Sequence, residues 1–491
     1  MIQGTRGRYE SGGRYYPFQH ERNDGIETLQ WLAKQRWYNG RVGMWGGSYF
    51  GYTQWVLADQ REPGLSALML QICSSDFHGM FYRGGAFSLE SALFWAVTSY
   101  GEQDIPASDA ALQRGYEGWP LIEADTRAVQ DIPFFKDWVS HPEKDPYWTK
   151  IDGERRTHSL QAPALLMAGW YDAFLPTQIE DFLRIRYEAK RSVAAATRLI
   201  IGPWAHARTV TLADGTTPKN YRLESLAPSI PWFDRHLKNL APSPEVPTRG
   251  DDKEELFHFM APIRIYVMGK KVWRDEQEWP LARTHYTNYY LHSGGAANSL
   301  NGDGQLLLTP PTSVQPNDLY FYDPHDPVPS AGGTMLGLRA GIERQNAIEQ
   351  RGDVLVYTTP ILEEDIELTG PITLVLYVST TAPCTDFTGK LVDVHPDGSA
   401  YNVCDGILRR NYVSTSQQPS QIQIDLWPTS MVFFNGHRMR LEVSSSNYPR
   451  FDRNPNTGRK IATETEPIAA TQKIYHSLDT PSHLILPVIP L

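Results

Sequence analysis

Cysteine, long apolar runs and basic stretches are all scarce in this chain. Its 491 residues include only three cysteines (Cys73, Cys384 and Cys404), far apart and without the spacing of metal ligands. A disulfide framework or a zinc site is therefore not expected, and the sequence predicts no metal and no cofactor. No stretch of about 18 apolar residues is present, so no transmembrane helix is predicted.

The charge balance excludes further classes of partner. Acidic residues outnumber basic ones, 56 to 46, which gives a formal net charge of -10. This balance argues against nucleic acid or a membrane surface as a partner. Nothing in the sequence indicates a compartment, so cytoplasmic is the default expectation, and a homo-oligomer is left open. Tryptophan (14) and tyrosine (25) are abundant and supply both core anchors and pocket walls.

A glycine-crowded turn is the most informative stretch. It reads Gly46-Gly47-Ser48-Tyr49-Phe50-Gly51 and lies between a short apolar strand, Val42 to Trp45, and a helix. A strand-to-helix turn this tight strains its central residue and projects that side chain out of the sheet, so its neighbours must be small. The pattern predicts a nucleophile elbow centred on Ser48. The alternative is a glycine-rich turn with an incidental serine.

Strands alternate with helices in the first half of the chain, which is typical of a parallel sheet with crossover connections. Met1 to Gly13 reads as the end of a strand and a loop, and Asp24 as the N-cap of a helix that ends near Gln35. Three further strands are predicted at Leu65–Ile72, Ala164–Ala168 and Arg198–Gly202, and a closing helix at Ile230–Asn239. Between Phe77 and Asp152 helical, aromatic segments predict an inserted cap, with helices at Ser88–Tyr100, Ala107–Tyr116 and Phe134–Ser140.

The second half has a different period. After a proline-rich and acidic linker, apolar residues alternate along short segments, including Ile263–Met268, Thr287–His292 and Ile372–Val378. Pro396-Asp397-Gly398 predicts a hairpin between Phe387–Val394 and Tyr401–Leu408. These short strands predict a β-sandwich, most simply a jelly roll.

The predicted fold is therefore α/β, a parallel sheet with an inserted helical cap, followed by a C-terminal jelly-roll β-sandwich. Its domain boundaries follow from the same patterns. The expected divisions are an α/β domain at 1–76 and 153–240, a cap at 77–152, a linker at 241–255 and the jelly roll at 256–491.

A catalytic serine needs a histidine base, and that histidine needs a carboxylate. On a parallel sheet the three follow in the order Ser, Asp or Glu, His, each after the carboxyl end of a strand. Asp172 follows the predicted strand Ala164–Ala168, and His206 follows Arg198–Gly202. Ser48, Asp172 and His206 are therefore the predicted triad, with Asp76 as the rival carboxylate.

Several motifs together resemble the bacterial cocaine esterase-like hydrolases, relatives of the X-prolyl dipeptidyl peptidases and the α-amino acid ester hydrolases. The likeness covers essentially the whole chain. The residues that carry it are Thr5-Arg6-Gly7, the Ser48 turn, Gly169-Trp170-Tyr171-Asp172, Gly202-Pro203-Trp204, His206, Phe233-Asp234-Arg235-His236-Leu237, Lys390-Leu391-Val392-Asp393-Val394 and Ser445 to Asn454.

The resemblance implies an α/β-hydrolase domain with a cap and a jelly roll, and the same triad. It further implies that the Tyr49 backbone N–H donates to the oxyanion. Trp95 and Phe174 match acyl-pocket positions, and Met80 stands where close family members carry tryptophan. Ser48 comes early for the family, and the early strands and a tyrosine oxyanion donor have no counterpart. We therefore expect an N-terminally incomplete chain.

The first function expected is hydrolysis of small carboxylic esters, with a small-molecule ester or amide as the partner. Two alternatives within the family are an X-prolyl dipeptidyl peptidase and an α-amino acid ester hydrolase. Both need a carboxylate cluster that pairs with a substrate ammonium, and the cap offers Glu90 and Asp104. A third alternative is a catalytically impaired fragment that acts only through its β domain.

Overall fold

The structure is a computed structural model, and it describes residues 1–238, 261–337, 339–411 and 418–490. The predicted linker at 241–255 lies outside the described residues. Among the residues described, no helix has the length and apolar character needed to cross a membrane.

Helices and strands alternate in the first half of the chain, where a long helical insertion interrupts them. In order they are α1 (Glu21–Ala33), β1 (Gly43–Gly47), α2 (Tyr49–Trp55), β2 (Ala67–Gln71), α3 (Phe77–Phe81), β3 (Tyr82–Arg83), β4 (Ala86–Phe87), α4 (Leu89–Ser99), α5 (Asp109–Tyr116), α6 (Ala124–Ala128), α7 (Pro133–Ser140), α8 (Pro146–Ile151), α9 (Glu154–Thr157), β5 (Ala164–Tyr171), α10 (Leu175–Glu188), α11 (Arg191–Ala196), β6 (Arg198–Ala205), α12 (Tyr221–Glu224) and α13 (Leu226–Lys238).

The second half is built from strands. They are β7 (Ile263–Val267), β8 (Val272–Glu276), β9 (His285–His292), β10 (Gln305–Leu307), β11 (Asp318–Tyr322), β12 (Leu355–Thr358), β13 (Ile366–Thr380), β14 (Cys384–Val394), β15 (Ala400–Asn411), β16 (Ser420–Phe433), β17 (Arg438–Ser444), β18 (Ala470–Tyr475) and β19 (His483–Ile489).

A six-stranded sheet organises the first half, in the order β1-β2-β5-β6-β7-β8. Its first five strands are parallel, and β8 returns antiparallel to β7. Every residue of β2 and β5 is buried, as expected for strands covered on both faces. The helices α3 to α9 lie between β2 and β5 in sequence and form the predicted cap.

The register brings the carboxyl ends of the parallel strands to one edge of the sheet. Gly47 at the end of β1 pairs with Gln71 at the end of β2, and Tyr171 at the end of β5 pairs with Ala205 at the end of β6. The loops that follow β1, β5 and β6 therefore emerge side by side.

A second sheet of eleven strands, antiparallel except at the β10–β12 pairing, forms the β-rich C-terminal half. Its own apolar core includes Leu374, Leu391 and Leu441, which are fully buried. The predicted hairpin is confirmed, because β14 and β15 pair antiparallel across the turn at Pro396 to Gly398. The predicted fold class, an α/β-hydrolase sheet with a cap and a C-terminal β-sandwich, is likewise confirmed.

Three local predictions were wrong. Ile263–Val267, assigned to the β domain, pairs with β6 in the first sheet, because a period-two pattern does not tell which sheet a strand joins. Met1 to Gly13 contains no strand. The first helix begins at Glu21, whose carboxylate accepts the His20 N–H at 3.0 Å, whereas Asp24 lies inside the first turn. The domain limits themselves stay predictions.

Candidate active site

Ser48 lies in a strained turn between β1 and α2. Its φ of 56° and ψ of -122° fall in a region that residues other than glycine rarely occupy. The glycines at both ends of the turn are required by close contacts. A Cβ at Gly46 would lie 2.5 Å from the Phe50 Cβ, and one at Gly51 would lie 2.1 Å from the Cys73 Sγ. The Ser48 N–H donates to the Gln71 carbonyl at 3.0 Å, which ties the turn to β2.

Gln54 fixes the helix that leaves this turn. Its side chain is fully buried and makes two hydrogen bonds to the backbone of Met69 in β2. The Gln54 Nε2 donates to the Met69 carbonyl at 3.0 Å, and the Oε1 accepts the Met69 N–H at 3.1 Å. The elbow is thereby held against the sheet on its helical side as well.

Asp172 and His206 directly follow β5 and β6, and the structure brings both to Ser48. The His206 Nε2 lies 2.9 Å from the Ser48 Oγ, and the His206 Nδ1 lies 2.7 Å from the Asp172 Oδ2. Asp172 is fully buried, and its second oxygen, Oδ1, accepts the Phe174 N–H at 2.9 Å. Serine, imidazole and carboxylate thus form one continuous hydrogen-bonded row at the carboxyl edge of the parallel sheet.

Asp76, the rival carboxylate, has other partners. Its Oδ1 accepts the Gly79 N–H at 2.9 Å, which caps α3, and its Oδ2 lies 3.1 Å from the Lys144 Nζ. Asp76 is therefore held by the cap and its lysine, whereas Asp172 contacts the imidazole.

A cavity opens beside Ser48. Trp95, Phe174 and Met80, the three predicted pocket residues, all line it. Four other residues of this wall were not predicted from the sequence, namely Phe18, Phe77, Phe81 and Leu336. Leu336 comes from the β-rich half, almost 300 residues after Ser48, so no local pattern could have indicated it. Phe18 belongs to the aromatic run Tyr15-Tyr16-Pro17-Phe18, which was a usable signal.

Tyr49 also lines the cavity, and its hydroxyl contacts a buried acidic residue. The Tyr49 hydroxyl donates to the Glu21 carboxylate of α1, and its ring stacks on Trp95 with centroids 6.0 Å apart. Burial raises the pKa of Glu21 and raises that of Tyr49 well above its usual range. The Tyr49 N–H begins α2, where backbone donors have no partner within the helix.

Neither of the two cap acids proposed for ammonium recognition lines this cavity. Asp104 forms an ion pair with Arg8 at 2.5 Å. Glu90 is buried beside a separate cavity that Arg339 also lines, and burial raises the pKa of Glu90 to about 7. Apart from Ser48, the residues that line the cavity beside it are apolar or aromatic.

A linked serine, histidine and aspartate at the carboxyl edge of a parallel sheet is the arrangement of the α/β-hydrolase serine enzymes. Comparisons with known proteins agree with this class. Residues 1–208 match the model of the X-Pro dipeptidyl-peptidase (S15) family, and residues 258–485 match that of the X-Pro dipeptidyl-peptidase C-terminal non-catalytic domain. The chain is 37% identical to the cocaine esterase of Rhodococcus sp. (strain MB1 Bresler), with 100% of this chain and 88% of that protein covered.

Two solved structures share the fold. An aminopeptidase from a Thaumarchaeota archaeon superposes with a TM-score of 0.81 at 23% identity, and an α-amino acid ester hydrolase with a TM-score of 0.77 at 23% identity. Each match covers 99% of this chain and 84% of the other. At this identity they support the fold alone. The chain belongs to the cocaine esterase-like serine hydrolases of the S15 family, which act on esters or peptides.

Proposed function

We propose that the protein hydrolyses small carboxylic esters through an acyl-enzyme on Ser48. The observation that carries this proposal is the hydrogen-bonded row of Ser48, His206 and Asp172, at 2.9 Å and 2.7 Å. His206 takes the proton of Ser48 as the Oγ attacks the ester carbonyl carbon, and Asp172 stabilises the imidazolium. The imidazolium then gives its proton to the leaving alcohol.

The second half of the reaction repeats these steps with water. His206 takes a proton from a water molecule, the hydroxyl attacks the acyl carbon, and the bond to the Ser48 Oγ breaks with return of the proton to serine. In both halves a negative charge develops on the former carbonyl oxygen. We assign the Tyr49 backbone N–H as a donor to that oxygen, because it follows Ser48 directly in the elbow.

The cavity beside Ser48 supports esters over the two family alternatives. Trp95, Phe174 and Met80 are assigned to substrate binding, and they present apolar or aromatic surface to the acyl group. A substrate ammonium would need a carboxylate partner here, because a buried charge must be paired. Glu90 and Asp104 lie elsewhere, and the residues that line the cavity include no carboxylate. The preferred acyl group is therefore apolar and uncharged.

Active-site labelling tests the proposed nucleophile. A fluorophosphonate probe should label the purified protein, and peptide mass mapping should find the adduct on Ser48. Ser48→Ala should abolish the label, and Ser75→Ala, at a buried serine bonded to Asp181, is the matched control that should keep it. Failure of the folded protein to label would contradict the proposal and favour the impaired-fragment alternative.

An ester panel tests the proposed substrate class. We expect 4-nitrophenyl phenylacetate to be cleaved with a higher kcat/KM than its α-amino analogue, the 4-nitrophenyl ester of phenylglycine. Gly-Pro-4-nitroanilide should be cleaved poorly or not at all. A preference for the amino ester would favour an α-amino acid ester hydrolase, and efficient release of nitroaniline would favour a dipeptidyl peptidase.

A further inference from the structure

Three side chains of types that can ligate a metal lie together at one end of the β-rich half, namely Asp393, His395 and His437. The His437 Nδ1 lies 2.8 Å from the Asp393 Oδ1, and the His395 Nε2 lies 3.3 Å from the Asp393 Oδ2. One ligand atom from each residue lies within 4.8 Å of the others, and the two imidazole centroids are 4.4 Å apart. Two neighbouring imidazoles thus contact the two oxygens of one carboxylate.

The sheet holds these three residues in place. Asp393 is near the end of β14, which pairs with β15 on one side and β17 on the other. His395 begins the β14–β15 turn and donates its backbone N–H to Ser399 at 2.9 Å. His437 precedes β17 and donates its backbone N–H to Phe434 at 3.0 Å. Ligands on adjacent, hydrogen-bonded strands and tight turns are well suited to a fixed coordination geometry.

The charge at this position also favours a cation. The Asp393 side chain is 3% exposed, and a buried carboxylate needs a positive partner. The surrounding charges are Asp397 in the same turn and Arg344, whose Nε donates to the Tyr401 hydroxyl at 3.3 Å. The direct partners of the carboxylate are therefore imidazoles, which carry no permanent charge.

The donor set and its dimensions fit zinc. Zn²⁺ binds imidazole nitrogen and carboxylate oxygen at about 2.0–2.2 Å in tetrahedral geometry, which separates neighbouring ligand atoms by about 3.3 Å. The observed separations are 2.8 Å from the His437 Nδ1 to the Asp393 Oδ1 and 3.3 Å from the His395 Nε2 to the Asp393 Oδ2, so one imidazole must turn toward the oxygen that the other contacts. One ligand atom of each residue already lies within 4.8 Å of the others, and His395 is the more exposed of the two rings.

We propose that His437 Nδ1, His395 Nε2 and one Asp393 carboxylate oxygen bind a Zn²⁺ ion, with water as the fourth ligand. The ion replaces the protons that the two imidazoles otherwise direct at Asp393. It joins the β14–β15 turn to the turn that precedes β17, which is a structural role. The spacing of the cysteines could not have indicated this site, because none of its ligands is a cysteine.

A second group of acidic side chains differs from the Asp393 group because it already contains a cation. Asp76, Asp152 and Glu154 also lie within ligand distance of one another. The Lys144 Nζ occupies the centre of that group, 3.1 Å from Asp76 and 3.1 Å from Asp152, and also pairs with Glu154. A lysine ammonium already supplies the cation there, whereas the Asp393 group has no such residue among the side chains described.

Zinc titration of the full-length, untagged and chelator-treated protein tests the proposal. Calorimetry with zinc chloride should show one ion per chain. His395→Phe keeps a planar ring but removes the ligand, and should weaken zinc binding by at least about tenfold, the lower end of the effect of losing even an outer-shell partner. His325→Ala, at an exposed histidine of the same half, is the matched control and should bind zinc as the wild type does.

Cobalt provides an independent readout of geometry. Co²⁺ in the same site should show the strong visible absorption of a four-coordinate ion, and His395→Phe should lose it. His437→Gln is a second ligand variant, and its near-ultraviolet circular dichroism shows whether it folds. If it does not fold, the zinc and cobalt binding of His395→Phe alone tests the proposal. Absence of stoichiometric zinc binding, or binding unchanged in His395→Phe, would overturn the proposal and leave the ester hydrolysis proposal untouched.

Discussion

Replacement of Asp172 by asparagine isolates the role of the carboxylate. The Asp172 Oδ1 accepts the Phe174 N–H at 2.9 Å, and its Oδ2 faces the His206 Nδ1 at 2.7 Å. In Asp172→Asn the amide oxygen must stay toward Phe174, so the NH₂ group faces His206. The His206 Nδ1 then has to accept a hydrogen bond from this amide, so the imidazole proton moves to Nε2. With a proton already bound, Nε2 can no longer take the proton of Ser48.

The opposite amide orientation does not rescue the enzyme. It would set two donors against each other in a fully buried position, where an unsatisfied polar group costs about 1–3 kcal/mol. The wrong tautomer in such a triad lowers kcat by about 10⁴. At 1.36 kcal/mol for each factor of ten, this is about 5 kcal/mol of transition-state stabilisation.

Steady-state hydrolysis of 4-nitrophenyl phenylacetate measures this loss. Circular dichroism and Tm establish that the variant is folded. Asp76→Asn is the matched control, because Asp76 also follows a strand of the sheet but pairs with Lys144, and it should keep kcat within about threefold of the wild type. More than about a tenth of wild-type kcat in Asp172→Asn, or an equal loss in Asp76→Asn, would refute the assignment.

Three further predictions concern stability and the pocket. Burial raises the pKa of Glu90 to about 7, so the folded state binds its proton more tightly than the unfolded chain and stability falls as pH rises from about 4.5 to 7. Glu90→Gln should therefore increase the free energy of unfolding at pH 8 by up to about 3 kcal/mol, seen as a higher Tm, and should leave it unchanged at pH 4.5. Gln54→Leu leaves the buried Met69 N–H and carbonyl without their side-chain partner and should lower stability by about 2 kcal/mol in thermal unfolding. Met80→Trp fills the cavity beside Ser48 and should raise KM for the phenylacetate ester by roughly tenfold, but not for the acetate ester.

Matched measurements separate these predictions from general effects. Glu123→Gln, at an exposed acid of the cap, should show no pH-dependent gain. Equal Tm changes in Glu90→Gln at both pH values would contradict the burial argument. A Gln54→Leu variant as stable as the wild type would mean that the Met69 backbone groups find other partners. Equal KM changes for both esters in Met80→Trp would place the effect outside the acyl pocket.

The elbow and the three linked residues were predictable because each depends on a local pattern. Glycine is required at positions 46 and 51, where a side chain would meet Phe50 or Cys73. Asp172 and His206 are each the first residue after a buried parallel strand, and such strands end at a common edge. The order of elements along the chain was therefore enough to bring them together.

What the sequence did not reveal depends on packing between distant segments. Leu336 reaches the cavity because the β-rich half packs against the cap, and no spacing rule encodes that contact. The start of α1 was placed too late because Glu21, rather than Asp24, supplies the carboxylate that reaches back to a backbone donor. The proposed zinc ligands Asp393 and His437 are more than 40 positions apart, and the pairing of β14 with β17 brings them together.

The pairing of β7 with β6 determines where this chain can be cut into fragments or joined to the half of a relative. The matched C-terminal family model spans 258–485 and so includes β7 and β8, although both strands complete the sheet of the other half. A fragment that ends at Lys238 would leave β6 as a bare edge, open to pairing with other chains. Exchange of C-terminal halves between relatives would also replace Leu336 and thereby change the wall of the cavity beside Ser48. In this chain the region named non-catalytic thus contributes to that cavity and is a structural part of the hydrolase sheet.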